Sequence, residues 1–305
     1  MLNGAPVIDS HVHFLTGDFL AHPEPYFSSA EAARFLTGQV LRNVANMNGG
    51  RVPLTAEYLD GMGDRGIDGA VVFGLADTAG GCRRLNEELA ALCATHKGRL
   101  HGLASVPLPD SGAAVVELRH AVRDLGLKGT KIYPSLSGLP MAAPQVRAVL
   151  EEASALGVPV VTDCSFICWP GSGNGPGGGN LLVELLNAPW FRTLDVRVVA
   201  AHLGGGLVFF RDLLLMFDPG MAAALDHVWF DLSPVFPESM LRAALEVVPP
   251  QRLLFGSDFP FTDGRANLRN IAALDLPADD RAAILGGNAL RLLGSETAGP
   301  KGVRP

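Results

Sequence analysis

Eight short apolar runs alternate with longer Ala-, Leu- and Arg-rich stretches along these 305 residues, and that alternation admits few architectures. The runs are PVIDSHV (6–12), DGAVVFG (68–74), HGLASV (101–106), KGTKIY (128–133), VPVVTD (158–163), VRVVAAH (196–202), HVWFDL (227–232) and RLLFGSD (252–258). Several are apolar throughout, as strands covered on both faces must be. Between them, RRLNEELAALCATHKGR and PQVRAVLEEASALG repeat apolar residues every three or four positions, the period of a helix with one buried face. Gly157 and Gly126 stand where two of these helices should stop, because glycine accepts the left-handed turn that ends a helix. Strand and helix alternating eight times require a parallel sheet. Eight such units in one chain of this length predict a closed (β/α)8 barrel, the TIM barrel, over an open doubly wound sheet. A dinucleotide-binding open sheet would follow its first strand with GxGxxG; here the first strand runs into His11-Val12-His13.

The barrel is expected to occupy residues 1–294 as a single catalytic domain. Two connections exceed ordinary barrel loops. One is an insertion of about 14–62 between the first two strands, with a helix over AEAARFLTGQVLRNVANM; the other is the Gly-rich loop SFICWPGSGNGPGGGN at 165–180. Both leave C-terminal strand ends, where barrel active sites are built, and both are candidate lids. The Gly-rich loop lacks the Lys-Ser/Thr of a phosphate-binding P-loop. Residues 295–305 read as a flexible tail.

Charge and composition narrow the partners. With 24 basic against 31 acidic residues the formal net charge is −7, and no Lys/Arg block occurs. That argues against nucleic acid and against a polybasic membrane patch, and leaves a small-molecule substrate as the expected partner. A homodimer is compatible with the sequence. No apolar run reaches the roughly 18 residues of a membrane span. The start, MLNGAPVIDSHVH, has no basic segment followed by an apolar one, so no secretory signal is expected. Cys82, Cys93, Cys164 and Cys168 form no CxxC pair, which suits a reducing cytoplasm.

The chemistry-bearing residues fall at strand ends. Residues i and i+2 of a strand share a side, so His11 and His13 can grip one metal ion from one wall. His202 closes the sixth run and is followed by three glycines, which places it at the rim. Asp258 closes the eighth run, where a carboxylate has no packing role. Lys131 ends the fourth, Asp231 lies late in the seventh, and Tyr133 and Arg51 are candidates to contact an acidic substrate. HxH, a strand-terminal His and a strand-terminal Asp on one barrel face together indicate a metal site.

DSHVH, AHLGGG, FGSDFPF and GGNALRLLG resemble the amidohydrolase-related family, in its aminocarboxymuconate-semialdehyde decarboxylase-like branch, over about residues 6–294. The resemblance implies a distorted barrel with one divalent metal, most often zinc, with manganese as the alternative. It implies that His11 and His13 are ligands, that Asp258 is a ligand or a proton acceptor from metal-bound water, and that His202 serves in acid/base catalysis. The family usually ends strand five with a ligand histidine; this chain has Asp163 there, and a carboxylate can hold the same metals. In two-metal amidohydrolases the strand-four lysine can be carbamylated, whereas this branch uses one metal. Cys168 offers a thiolate in the Gly-rich loop, and Cys164 reads as core.

The reading placed first is a hydrolase acting on an amide, lactone or ester through metal-activated water, with Asp258 or His202 moving the proton. Its alternative is a metal-dependent non-oxidative decarboxylase of an unsaturated or aromatic acid. A third reading is a metal-free barrel with a binding role.

Overall fold

The structure is a computed structural model and describes residues 5–164 and 181–294. The Gly-rich loop 165–180, with Cys168, and the tail 295–305 lie outside these residues. Eight parallel strands run in sequential order: β1 (Ile8–His13), β2 (Gly69–Phe73), β3 (Leu100–Ser105), β4 (Thr130–Ile132), β5 (Val160–Thr162), β6 (Val198–Ala200), β7 (Val228–Asp231) and β8 (Leu253–Leu254). β8 is short, and the chain beyond it closes the ring on β1. Ser10 N donates to Phe255 O, Asp258 N to His11 O and His13 N to Phe259 O, at 2.8, 2.9 and 3.0 Å. The predicted TIM barrel is therefore the observed fold.

Strand parity divides the apolar residues into two layers. Ile8, Val71, Phe73, Leu103, Val161, Val199 and Leu254 fill the barrel interior, and Ala289 and Leu292 of the last helix pack with them. Residues of opposite parity, such as Ala70, Val72, Val160 and Val198, face the surrounding helices. Those helices begin where the sequence offers a cap. Thr78 accepts from Gly81 N ahead of Ala79–Thr95, and Asp110 from Ala113 N ahead of Ser111–Arg123. Pro144–Leu156 ends on Gly157 at φ +67°, the left-handed stop expected there.

The insertion after β1 forms the expected helix as Ala30–Phe35 and Leu41–Met47, joined through a π-turn at Leu36–Val40. It is tied back to the first strand. Leu15 N donates to Thr55 Oγ1 at 2.7 Å, Thr55 Oγ1 to His13 O at 3.2 Å, and the Tyr58 hydroxyl to Asp9. Among the described residues no helix is long and apolar enough to cross a membrane.

Close approach at the other end of the barrel makes a stability prediction. A Cβ on Gly286 would stand 2.3 Å from Pro6 O and 3.0 Å from Ile8 Cγ1, whereas one on Gly287 would meet nothing nearer than 3.4 Å. Gly286→Ala is expected to cost about 1–3 kcal/mol of stability. Gly287→Ala should change it by less than about 1 kcal/mol. Urea unfolding of both variants checks this, and equal midpoints would refute the tight contact.

Candidate metal centre

A strict two-residue alternation in β1 would point Ile8, Ser10 and Val12 into the barrel and turn both histidines outward. The strand avoids this with a bulge. Asp9 pairs with Ala70 but Val12 with Val72, so three steps on β1 span two on β2. Ile8 faces the interior, Val12 joins the outer layer, and His11 and His13 turn into the mouth. Asp9 sits at the bulge. Its buried carboxylate accepts from Ser257 N (2.8 Å), from His11 N (3.1 Å) and from Tyr58. Burial pushes its pKa up to about 6 despite those bonds.

Asp258 lies opposite the histidines. Its Oδ1 is 3.3 Å from His11 Nε2 and 3.1 Å from His13 Nε2. The far side of His11 is held by Asp231, whose Oδ2 lies 2.8 Å from Nδ1. Burial would raise Asp231, but His11 and His202 beside it hold its pKa well below the usual carboxylate range. It is therefore ionised and can only accept, so the His11 proton is on Nδ1 and the Nε2 lone pair faces Asp258. Burial, with Lys131 nearby, lowers His11 itself to about 4, so its ring is neutral as a ligand must be.

His202 reaches the same place by another route. β6 ends at Ala200, two residues earlier than the sequence suggested, and His202 and Leu203 adopt left-handed φ of 58° and 53°. Asp258 is the third non-glycine residue with positive φ among those described, at 62°. Such conformations cost about 1–3 kcal/mol each and persist where neighbours over-determine them. Here His202 N donates to Asp231 Oδ1 (2.9 Å) and His202 Nδ1 to the Ser233 carbonyl (2.9 Å). Gly204 follows at φ +64°, where a Cβ would come within 2.7 Å of Leu182 Cδ2. His202 Nε2 is left facing the cavity, 3.7 Å from Asp163 Oδ1. Burial opposes a charge on His202, yet Asp258, Asp231 and Asp163 together outweigh it and raise its pKa.

His11, His202 and Asp258 each place a donor atom within 4.8 Å of the others. They open into a cavity of about 610 Å³ that His13, Asp163, Lys131 and Tyr133 also line. Its remaining walls are mostly apolar, with Leu36, Val40 and Leu41 from the insertion, Phe209 and Phe210 after β6, Phe236 and Met240 after β7, and Phe261 after β8. Burial of Asp163, Asp231 and Asp258 at one rim is costly without cations. Imidazole nitrogens and carboxylate oxygens are the donors zinc and manganese accept, so this residue set fits a divalent metal.

The five residues assigned to metal binding or catalysis from the sequence, His11, His13, Asp163, His202 and Asp258, lie at one mouth. His202 stands as near to His11 and Asp258 as a ligand would. Asp163 lines the cavity from β5 and stands against His202 rather than within the three-residue cluster. Arg51 is not brought in; it is exposed and paired with Glu57. Cys164 is buried, and burial pushes its thiol pKa well above the usual range. Sequence reasoning undervalued Asp231 and missed Ser233 and Asp9. Asp231 carried the same signal as Asp258, a carboxylate at the end of an apolar strand.

Asp231→Asn is expected to weaken zinc or manganese binding by about 10- to 100-fold with the fold intact, because the charge that fixes the His11 tautomer is removed. Competitive titration against a chromophoric chelator reads this; unchanged affinity would show that His11 is oriented without Asp231.

Known proteins share this arrangement of strands. The chain is 25% identical over 240 residues to 2-amino-3-carboxymuconate-6-semialdehyde decarboxylase of Dictyostelium discoideum, which covers 69% of this chain; the chain spans 65% of that relative's length. The fold matches 5-carboxyvanillate decarboxylase from Sphingomonas paucimobilis with a TM-score of 0.78 at 18% identity, over 95% of this chain and 99% of the other. It also matches a dihydroxybenzoic acid decarboxylase from Polaromonas sp. JS666, solved with bound manganese and the inhibitor 2-nitroresorcinol, with a TM-score of 0.74 at 18% identity over 95% and 97% of the two chains. Residues 8–295 match the amidohydrolase family model, and the chain belongs to that family.

Proposed function

We propose that this protein is a metal-dependent, non-oxidative decarboxylase of an unsaturated or aromatic carboxylic acid. Hydrolysis, ranked first on sequence grounds, gives way to it because the relative and the solved structures described above are decarboxylases. The observation that carries the reading is the placement of His202 Nε2 on an apolar-walled cavity, in the same donor cluster as His11 and Asp258. A metal-free binding barrel is the least supported reading, since three buried carboxylates gathered at one rim suit a bound cation better than hydrogen bonds and imidazoles alone.

His11, His13 and Asp258 are proposed to hold the metal, with Asp163 completing the donor set from β5. A divalent metal there would supply a fixed positive charge for the oxygens of the substrate. Loss of carbon dioxide breaks the bond between the carboxyl carbon and its neighbour. The electron pair stays on the neighbouring carbon, and a proton takes the place of the carboxyl group. His202 is the proton donor: the Ser233 carbonyl fixes its Nδ1, and Nε2 faces the substrate space. Apolar walls favour the same step, because the carboxylate's charge is concentrated before the bond breaks and dispersed while it breaks.

The direct experiment supplies metal-loaded protein with carboxylated phenols, unsaturated dicarboxylates, lactones and amides, and measures carbon dioxide and ester- or amide-bond cleavage separately. Carbon dioxide from an acid, abolished by chelation and restored by metal, is the expected result; cleavage of a lactone or amide alone would return the protein to hydrolysis. His202→Ala should lower turnover by about 10²-fold or more, with metal content nearly kept, whereas His11→Ala should lose the metal. Equal metal loss in both would make His202 a ligand.

Asp163 has its own test. Asp163→Asn is expected to weaken metal binding and Asp163→His to restore or strengthen it, because imidazole is a favoured donor for these ions. Equal metal affinity in wild type and both variants would remove Asp163 from the donor set.

A further inference from the structure

Lys131 is the anomaly of the cavity. It projects from β4, and its side chain is among the largest fully buried ones in the protein. Among the described residues its Nζ has no hydrogen-bond partner. Its contacts are aromatic faces: Nζ lies 4.9 Å from the centre of the Phe73 ring and 5.2 Å from that of Tyr133. Ring faces attract an ammonium group, but they replace none of its three hydrogen bonds to water. Two residues further on, the Tyr133 hydroxyl is buried beside the same cavity and also lacks a partner among the described residues. Burial and the nearby Asp163 and Asp258 keep that phenol protonated, so it remains a donor.

Two buried donors on one wall, without a protein acceptor among the described residues, are costly unless an acceptor enters the cavity. No carboxylate of the described residues comes within hydrogen-bonding distance of Lys131 Nζ, so Asp231 and its neighbours act on it only at longer range and leave its donors unfilled. The position of the pair relative to the histidines is defined by Phe73. Its ring packs 4.9 Å from that of His11 and 5.4 Å from that of His13, while Lys131 stands over the same ring. The cavity therefore carries two sets of polar groups packed against the same Phe73 ring, the His/Asp cluster and the Lys131–Tyr133 pair, with apolar wall around them.

We propose that Lys131 Nζ and Tyr133 OH form an anion subsite that takes a second acidic group of the substrate, distinct from the group held at the His11–His13–Asp258 cluster. The relatives named above already point to planar acids with a second anionic group; what the pair adds is which side chains of this chain would select such an acid over a simple monocarboxylate. This rests on the reading of the cavity as the site of a carboxylic-acid decarboxylase and specifies what that site selects.

The test is calorimetric titration of metal-loaded, full-length protein with benzoate and with the three benzenedicarboxylates, none of which has to react. At least one dicarboxylate should bind wild type more tightly than benzoate by about 10- to 100-fold, the worth of one charge-assisted hydrogen-bonded contact. Lys131→Met should abolish that advantage while benzoate affinity and metal content are kept. Its thermal midpoint should rise, because an unpaired buried charge is replaced by an apolar side chain of similar length. Tyr133→Phe, which removes only the hydroxyl, should reduce the advantage in part. Absence of any dicarboxylate preference in wild type, or an equal loss of benzoate and dicarboxylate binding in Lys131→Met, would overturn the proposal. So would loss of metal from Lys131→Met, which would make the lysine a counter-charge to the rim. Dicarboxylate preference without carbon dioxide release from any acid would leave the subsite standing and refute the decarboxylase reading.

Discussion

The carboxylate of Asp231 organises the mouth of this barrel. One oxygen accepts the Nδ1 proton of His11; the other accepts from the backbone of His202, the backbone of Ser233 and the Ser233 hydroxyl. An ionised acceptor buried among donors makes strong, short-range bonds, and each of these decides something different. The first sets the tautomer that leaves the His11 Nε2 lone pair facing Asp258. The second holds a left-handed backbone that would otherwise relax and swing His202 away. The bonds to Ser233 place the carbonyl that receives the His202 Nδ1 proton. A residue that itself points away from the substrate thus fixes two imidazoles that face it.

The electrostatics of the rim follow from that arrangement. Asp163, Asp231 and Asp258 are buried together, faced by imidazoles and, beyond hydrogen-bonding distance, by the Lys131 ammonium. Acidic groups so placed are tolerable when a cation neutralises them, which makes the same geometry both a metal-binding argument and an account of why the rim needs one. Lys131 poses the inverse problem on the β4 wall, a positive charge with no hydrogen-bonded anion among the described residues. A cavity with an excess of negative charge in one set of groups and such a cation in the other suits a ligand whose own oxygens are distributed between a metal and an ammonium group.

The insertion between β1 and β2 contributes shape as well as closure. Its helical segment supplies Leu36, Val40 and Leu41 to the cavity, while Thr55 and Tyr58 clamp the strand that carries the histidines. The apolar lining and the orientation of the metal-facing side chains are therefore coupled through one segment. That coupling provides a route for changes in the insertion to alter both substrate fit and His13 placement.

Much of this was determined by the sequence alone. Eightfold alternation of buried runs and amphipathic stretches specifies a parallel sheet covered on both faces, and eight units in one chain of this length favour its closed form over an open doubly wound sheet. Strand-terminal polar residues in otherwise apolar runs mark the mouth, so His11, His13, Asp163, His202 and Asp258 were legible before any coordinates. Tertiary structure alone decided how they point. Perfect alternation would have turned His11 and His13 outward, and the bulge after Asp9 that reverses them is created by pairing with β2, a partner some 60 residues away. The left-handed turn at His202 depends on Asp231, from the next strand, and the isolation of the Lys131 ammonium depends on which side chains stop short of it. Periodicity records which residues are buried; it does not record register or the distances between strands, and those set the tautomers, the strain and the charge balance of the site.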